Sequence, residues 1–152
     1  MKRIIALSLI SILCLACLSS CEIIDKFKAM YDDFYSHGTE SLTMVQEFTV
    51  ALAAKNYDKA MTYLHPSSNL KREDLEDMMS SISTKKGISF NKGIEFKNPS
   101  FNITPMTDGN ANIIQTQYSV IFTLVVGEAE LSLSSIVLQD QSGFGILTYN
   151  LV

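Results

Sequence analysis

The hydrophobic positions follow different periods along the chain, and the changes of period divide it. Ile4 to Leu18 is an apolar run broken only by Ser8 and Ser11. From Ile23 the apolar residues recur at steps of three and four: Ile23, Phe27, Met30 or Tyr31, and Phe34. That spacing predicts a helix over 22–35, which His37-Gly38 should break. Leu42, Val45, Phe48 or Thr49, and Leu52 predict a second helix, capped by Thr39 and ending near Asn56. A short helix with Asp58 at its cap should turn Ala60, Met61 and Leu64 inward and stop before Pro66. The next is expected to start at Ser68 or Asn69. It carries Leu75, Met78, Met79 and Ile82 on one side, with acidic residues in its first turns, where the helix dipole favours them. Lys85-Lys86-Gly87 should close it.

Beyond Gly87 the period falls to two. Ile88, Phe90, Ile94 and Phe96 alternate with polar residues, and Pro99 is expected to end that strand. Three turn signals then fold the rest into hairpins: Asp108-Gly109, Gly127-Glu128, and a three-residue loop at Gln141-Ser142-Gly143. These turns imply registers. The first pairs Ile103 with Ile114 and Phe101 with Thr116. The second pairs Leu124 with Leu131, Phe122 with Leu133 and Tyr118 with Val137. The third pairs Val137 with Leu147, Ser135 with Tyr149 and Leu133 with Leu151. Opposed residues share a face, and in these registers one face stays apolar. The other carries Gln115, Gln117, Thr123, Glu130, Ser132 and Ser134. The expected fold class is α+β: N-terminal helices packed in a curved antiparallel meander sheet, preceded by a cleaved signal peptide.

The N-terminus supplies the most specific chemistry. Lys2 and Arg3 precede a fifteen-residue apolar run, shorter than the roughly 20 residues of a membrane-spanning helix. Leu18-Ser19-Ser20-Cys21 then resembles the bacterial lipobox: Leu, two small residues and the cysteine to be acylated. Residues 1–20 read as a lipoprotein signal peptide, 21–38 as a lipidated N-terminus with a leading helix, and 39–152 as one domain. Processing would remove Cys14 and Cys17 and leave Cys21 in a thioether, so no internal disulfide is expected. The bilayer becomes a partner through the acylated Cys21, since several acyl chains anchor stably where one does not. Glu22 follows the cysteine rather than the Asp of inner-membrane retention, which favours the outer membrane where the cell has one. The leading helix either packs on the domain or lies in the membrane interface. Its acidic residues favour packing, because interfacial helices are usually rich in Lys and Arg.

All sixteen acidic residues lie after Cys21 and two of the twelve basic ones before it, so the processed chain has a formal charge of −6. No basic stripe suits nucleic acid. Two histidines and a lipidated cysteine give no zinc pattern, and neither a metal nor a cofactor is expected.

Val45–Pro66, VQEFTVALAAKNYDKAMTYLHP, with Phe48, Leu52, Asn56-Tyr57-Asp58, Ala60 and Tyr63-Leu64, resembles the opening of the nuclear transport factor 2-like superfamily, which includes ketosteroid isomerases. The strands from Asp108-Gly109 onward resemble its closing sheet. The resemblance covers roughly 40–152 and implies a cone, with the sheet curled around the first helix and a pocket at its open end. It carries no catalytic signature across. The isomerases need a carboxylate base within an apolar cavity. The inner face here offers Thr116, Tyr118, Ser135 and Tyr149, while Glu130 faces outward and Glu95 lies on the polar side of its strand. His65 is the best acid–base candidate, since its charge changes near neutral pH; it also fits a histidine that merely ends a helix. The expected function is a non-catalytic cell-envelope lipoprotein that binds a small apolar ligand or a protein partner. Tyr118, Tyr149, Thr116, Ser135 and His65 are its candidate ligand contacts. Two alternatives stand beside it: an isomerase- or dehydratase-like enzyme using His65, and an interaction module that dimerises through the polar face of its sheet.

Overall fold

A computed structural model describes residues 2–152, with side chains described for 24–26 and 28–152. The signal peptide of 1–20, Cys21 and the stripe positions Ile23 and Phe27 therefore lie outside the described side chains. Among the residues whose side chains are described, no helix is long and apolar enough to cross a membrane; the run Ile4–Leu18 is not among those.

The chain forms α1 (Lys2–Ala53), α2 (Tyr57–Met61), α3 (Arg72–Lys86), a 3-10 turn (Phe90–Lys92), and then β1 (Glu95–Thr107), β2 (Ile113–Val126), β3 (Ala129–Asp140) and β4 (Gly143–Leu151). It divides into two compact units, Met1–His37 and Gly38–Val152. In the first unit Ile24, Tyr31 and Tyr35 are exposed, and the two tyrosine rings stack 6.4 Å apart.

The expected break at His37-Gly38 does not occur: the backbone stays helical through both residues. Glycine inside a helix is unfavourable but tolerated where packing compensates. Here a Cβ on Gly38 would overlap the ring of Phe101 on β1, so the glycine permits close approach of helix and strand rather than a turn. Further along, Val45, Phe48 and Leu52 are fully buried, with the Phe48 ring edge-on to Tyr149 at 4.8 Å.

α1 ends in a Schellman motif. The Lys55 N–H donates to the Leu52 carbonyl and the Asn56 N–H to the Ala51 carbonyl, with Lys55 in the left-handed region at φ 57°. Asn56, not Asp58, caps α2, its side chain accepting from the Lys59 N–H at 3.2 Å. α3 starts at Arg72 rather than at Ser68 or Asn69, because the Ser68 hydroxyl is bonded to the Leu147 carbonyl of β4 at 2.8 Å. The Lys71 N–H instead donates to the Asp74 carboxylate, and Gly87, at φ 64°, closes the helix as expected.

The sheet is a four-stranded antiparallel meander in the order β1-β2-β3-β4. The β2–β3 register is the expected one: Leu124 faces Leu131, Phe122 faces Leu133 and Tyr118 faces Val137. The other strands differ from expectation. The strand expected from Ile88 begins only at Glu95, because Phe90–Lys92 form the 3-10 turn. Pro99 does not end a strand; it lies inside β1, beside a register shift between Lys97 and Ser100. An edge strand with a bulge tolerates the missing N–H. In the first hairpin Ile103 faces Tyr118 and Phe101 faces Val120, because the Asp108 carboxylate organises a longer loop. It accepts from the Asn110 and Asn112 N–H groups at 2.8 and 2.9 Å and from the Asn112 side chain at 3.0 Å. The displacement is four residues, an even number, so no side chain changes face. In the third hairpin Asp140 pairs directly with Gly143, leaving a two-residue turn. A bulge after Ile136 then sets Val137 opposite Ile146 rather than Leu147, while Ser135–Tyr149 and Leu133–Leu151 pair as expected.

The buried face carries Tyr118, Val120, Phe122, Leu124, Leu131 and Leu133. Glu130, Ser132 and Ser134 are exposed on the other. The edge of β4 is covered: the His65 N–H donates to the Ile146 carbonyl at 2.9 Å, and the Ile146 N–H to the Tyr63 carbonyl at 2.8 Å. Covering an edge removes a template for unwanted strand pairing.

Candidate functional site

The five expected contact residues are all buried: Thr116, Tyr118, Ser135, Tyr149 and His65. Among them, Tyr118, Ser135, Tyr149 and His65 use their polar atoms inside the domain. The Tyr118 hydroxyl donates to Gln139 Oε1 at 2.9 Å, and the Ser135 hydroxyl to the Thr148 carbonyl at 2.7 Å. The Thr49 hydroxyl has one proton, given to the Val45 carbonyl at 2.7 Å, so Tyr149 is the donor in its 3.0 Å bond to Thr49 Oγ1. Burial pushes the Tyr149 phenol well above its ordinary value.

His65 has the partner that sequence spacing did not reveal. Its Nδ1 accepts the Ser67 N–H at 3.1 Å, which places the ring proton on Nε2, facing Asp140 Oδ1 at 3.2 Å. The Asp140 carboxyl sits below the ordinary carboxylate range, held there first by the Ser142 N–H, with His65 a lesser contribution against desolvation. The imidazole itself is closed to solvent. Both nitrogens are occupied, so the pair ties the loop after α2 to the third hairpin. Glu95, expected on the polar side of its strand, is exposed and faces Lys97 at 3.6 Å.

A cleft of about 680 Å3 lies elsewhere, among the end of α1, α2, α3 and the segment 88–91. The half-buried Ala53 and Phe90 form its apolar part, with the buried Leu52, Met79 and Ile88 behind them. Ser80, Ser83, Thr84, Ser89 and Asn91 bring polar groups, and Lys55, Tyr57, Arg72 and Glu76 complete the wall. None of the five expected residues lines it. The size is that of a small-molecule site.

Its charges are unequal in status. Arg72 bonds Asp58 through Nη1 at 2.5 Å and Glu76 through Nε at 2.7 Å, with its guanidinium carbon 5.7 Å from the centre of the Tyr57 ring. The Glu76 bond first, then the Asp58 charge, hold it still more firmly protonated than an ordinary arginine. Burial, then the Glu76 charge, push the Tyr57 phenol up. Lys55 stands apart. Its left-handed backbone costs a non-glycine residue roughly 1–2 kcal/mol, at a position where glycine is the usual occupant.

No protein-family model, curated protein or solved structure matches the chain. Among the described residues no group of three or more His, Cys, Asp or Glu could hold a metal ion. Sequence reading missed the cleft because its residues come from the end of α1, one side of α3 and the segment 88–91, which no single period joins. The one available signal was the polar set Ser80, Ser83 and Thr84 at helical spacing on α3, opposite the buried stripe.

Proposed function

We propose that this chain is a lipid-anchored binding protein of the bacterial cell envelope, without catalysis of its own, and that it holds a small, partly apolar molecule in the cleft at Leu52, Met79 and Phe90. The cleft carries this reading. Its volume is that of a small-molecule site, and the hydroxyls of Ser80, Ser83, Thr84 and Ser89 have no hydrogen-bond partner among the described residues. Unused polar groups around an apolar floor fix orientation in small-molecule sites.

The anchor half rests on the order of Lys2-Arg3, the apolar run and Leu18-Ser19-Ser20-Cys21. Acylation of Cys21 would tether the domain to the bilayer, with the outer membrane favoured. A helix followed by a four-stranded meander supports a nuclear transport factor 2-like domain closed as a cone. The enzyme alternative is the weaker one, because His65 has both nitrogens engaged and no exposed ring atom.

Native mass spectrometry of the protein, extracted in mild detergent from its own membranes, tests the site. Extra mass beyond the acylated chain is expected, and it should vanish in Ser83→Trp, which fills the cleft. Mass retained by that variant would move the ligand elsewhere. Cys21→Ala should abolish incorporation of labelled palmitate; persistent label would refute the anchor.

A further inference from the structure

We propose that the leading stretch of α1, residues 24–35, lies in the surface of the bilayer that holds Cys21, with its apolar face on net-neutral phospholipid and its acidic face in water. This rests on the acylation of Cys21 and adds a second membrane contact to it. At about 100° per residue, Met30, Phe34, Tyr31, Ile24 and Tyr35 fall within one arc of about 140°. Val45, Phe48 and Leu52 lie within the same arc further along α1, where they are fully buried in the core. In the first unit that face is open: Ile24, Tyr31, Tyr35 and Met30 are 63, 64, 55 and 40% exposed. Large apolar side chains gathered on one exposed face mark a membrane or protein contact.

Position, side-chain type and width assign the face to the membrane rather than to a second copy of the chain. Ile24 follows Cys21 by three residues, and at 1.5 Å per residue even Tyr35 stands within about 21 Å of it along the helix. So short a tether makes docking an intramolecular event at high local concentration. Tyr31 and Tyr35 stack their rings 6.4 Å apart, and an apolar body with a hydroxyl tip suits the boundary between acyl chains and water. A two-helix seam is a narrow stripe sustained over at least about three heptads, whereas this arc is broader and spans fewer than two. Charge then selects the lipid. Residues 22–38 hold Lys26 and Lys28 against Glu22, Asp25, Asp32 and Asp33, a balance that suits a zwitterionic surface rather than an anionic one. Asp25, Lys26, Asp32 and Asp33 fall outside the arc. Lys28 stands just beyond its Tyr35 border, where a lysine stem can follow apolar surface while the ammonium reaches phosphate.

The chain has no tryptophan, so Tyr31→Trp on the arc and Ala29→Trp on the exposed opposite face each carry a single reporter. Each protein, extracted from its own membranes with its acyl chains, is reconstituted into phosphatidylcholine vesicles with brominated acyl chains. Bromine should quench the Tyr31→Trp reporter at least about twofold, as for a face sunk about 5–10 Å into the headgroup and acyl boundary, and barely touch the Ala29→Trp reporter. Ile24→Asp with Tyr35→Asp should abolish that quenching while Cys21 keeps the protein on the vesicles. Replacing part of the lipid with phosphatidylglycerol should weaken the quenching; stronger quenching there overturns the neutral surface. Equal quenching of the two reporters, or none in either while labelled palmitate shows Cys21 acylated, overturns the docking and leaves the anchor. Blue-shifted, unquenched emission from Tyr31→Trp, with chains cross-linked in pairs, gives the face to a second copy and likewise overturns the docking. Absence of palmitate label on the unsubstituted protein overturns the anchor and the docking together.

Discussion

Gly145→Ala is the substitution that most directly tests how the helical half is joined to the sheet. Gly145 lies in β4 without a left-handed backbone, so conformational freedom does not explain it. Space does. A Cβ there would stand 2.6 Å from the His65 nitrogen, 2.8 Å from its Cα and 2.9 Å from the Leu64 carbonyl carbon. These are backbone atoms, and no rotamer moves them. The segment Tyr63–His65 would have to retreat from the β4 edge. Its two backbone bonds to Ile146, at 2.9 and 2.8 Å, would then stretch or break.

Each lost bond costs about 1 kcal/mol, and forcing a methyl into a packed contact costs at least about 1 kcal/mol more. The expected loss is about 3 kcal/mol, a large share of the 5–15 kcal/mol typical of a domain. For a domain of this size that lowers Tm by about 10 °C. Urea denaturation followed by circular dichroism measures it, and an unchanged slope would show that the transition keeps its character. Gly87→Ala is the control. Gly87 has φ 64° and nothing within 4 Å of where the new methyl would stand, so the cost is backbone strain alone, about 1 kcal/mol. A cost for Gly145→Ala no larger than that of Gly87→Ala would refute the edge-covering argument.

Three further outcomes follow from the same structure. Lys55→Gly should stabilise the domain by about 0.5–1 kcal/mol in urea titration, because left-handed strain is relieved against a smaller entropy cost, whereas Lys55→Ala should not. Thr49→Val should cost more than Tyr149→Phe in the same assay: the first strands a buried phenol hydroxyl, about 1–3 kcal/mol, while the second leaves Thr49 still bonded to Val45, about 1 kcal/mol. The lowered Asp140 pKa means that its stabilising contribution is complete above the ordinary carboxylate value of 3.8 and is lost as pH falls through the lower folded value. Asp140→Asn should therefore flatten the acid limb of the urea midpoint against pH, and an unchanged limb would remove the pair from the account.

Much of the sheet was legible because a period of two is unforgiving. The β2–β3 register follows from one two-residue turn at Gly127-Glu128 and the apolar alternation on both sides of it. The first hairpin was displaced by four residues and the buried face was still assigned correctly, since even displacements conserve faces. The misplaced elements failed for local reasons invisible to a period. Gly38 looks like a helix breaker until Phe101 is seen against it. Pro99 looks like a strand end until β1 proves to be an edge. Ser68 looks like a helix start until its hydroxyl is found on Leu147.

The candidate site was less legible for a related reason. Hydrophobic alternation identifies what is buried, and it put Thr116, Tyr118, Ser135 and Tyr149 together correctly on the inner face. A polar group found by burial has usually been given a partner, because leaving it unpaired costs its full desolvation penalty. Tyr118, Ser135 and Tyr149 follow that rule, each bonded within the domain, and His65 and Asp140 follow it across 75 positions of sequence. Groups free to meet a ligand are those that folding has not used, and they gather where regular periods stop: Lys55 after α1, Ser83 and Thr84 on the outward side of α3, Ser89 and Asn91 around the 3-10 turn. In this chain the unused polar groups stand on the outward side of α3 and in the segments between elements, while those on the inner face of the sheet serve the fold.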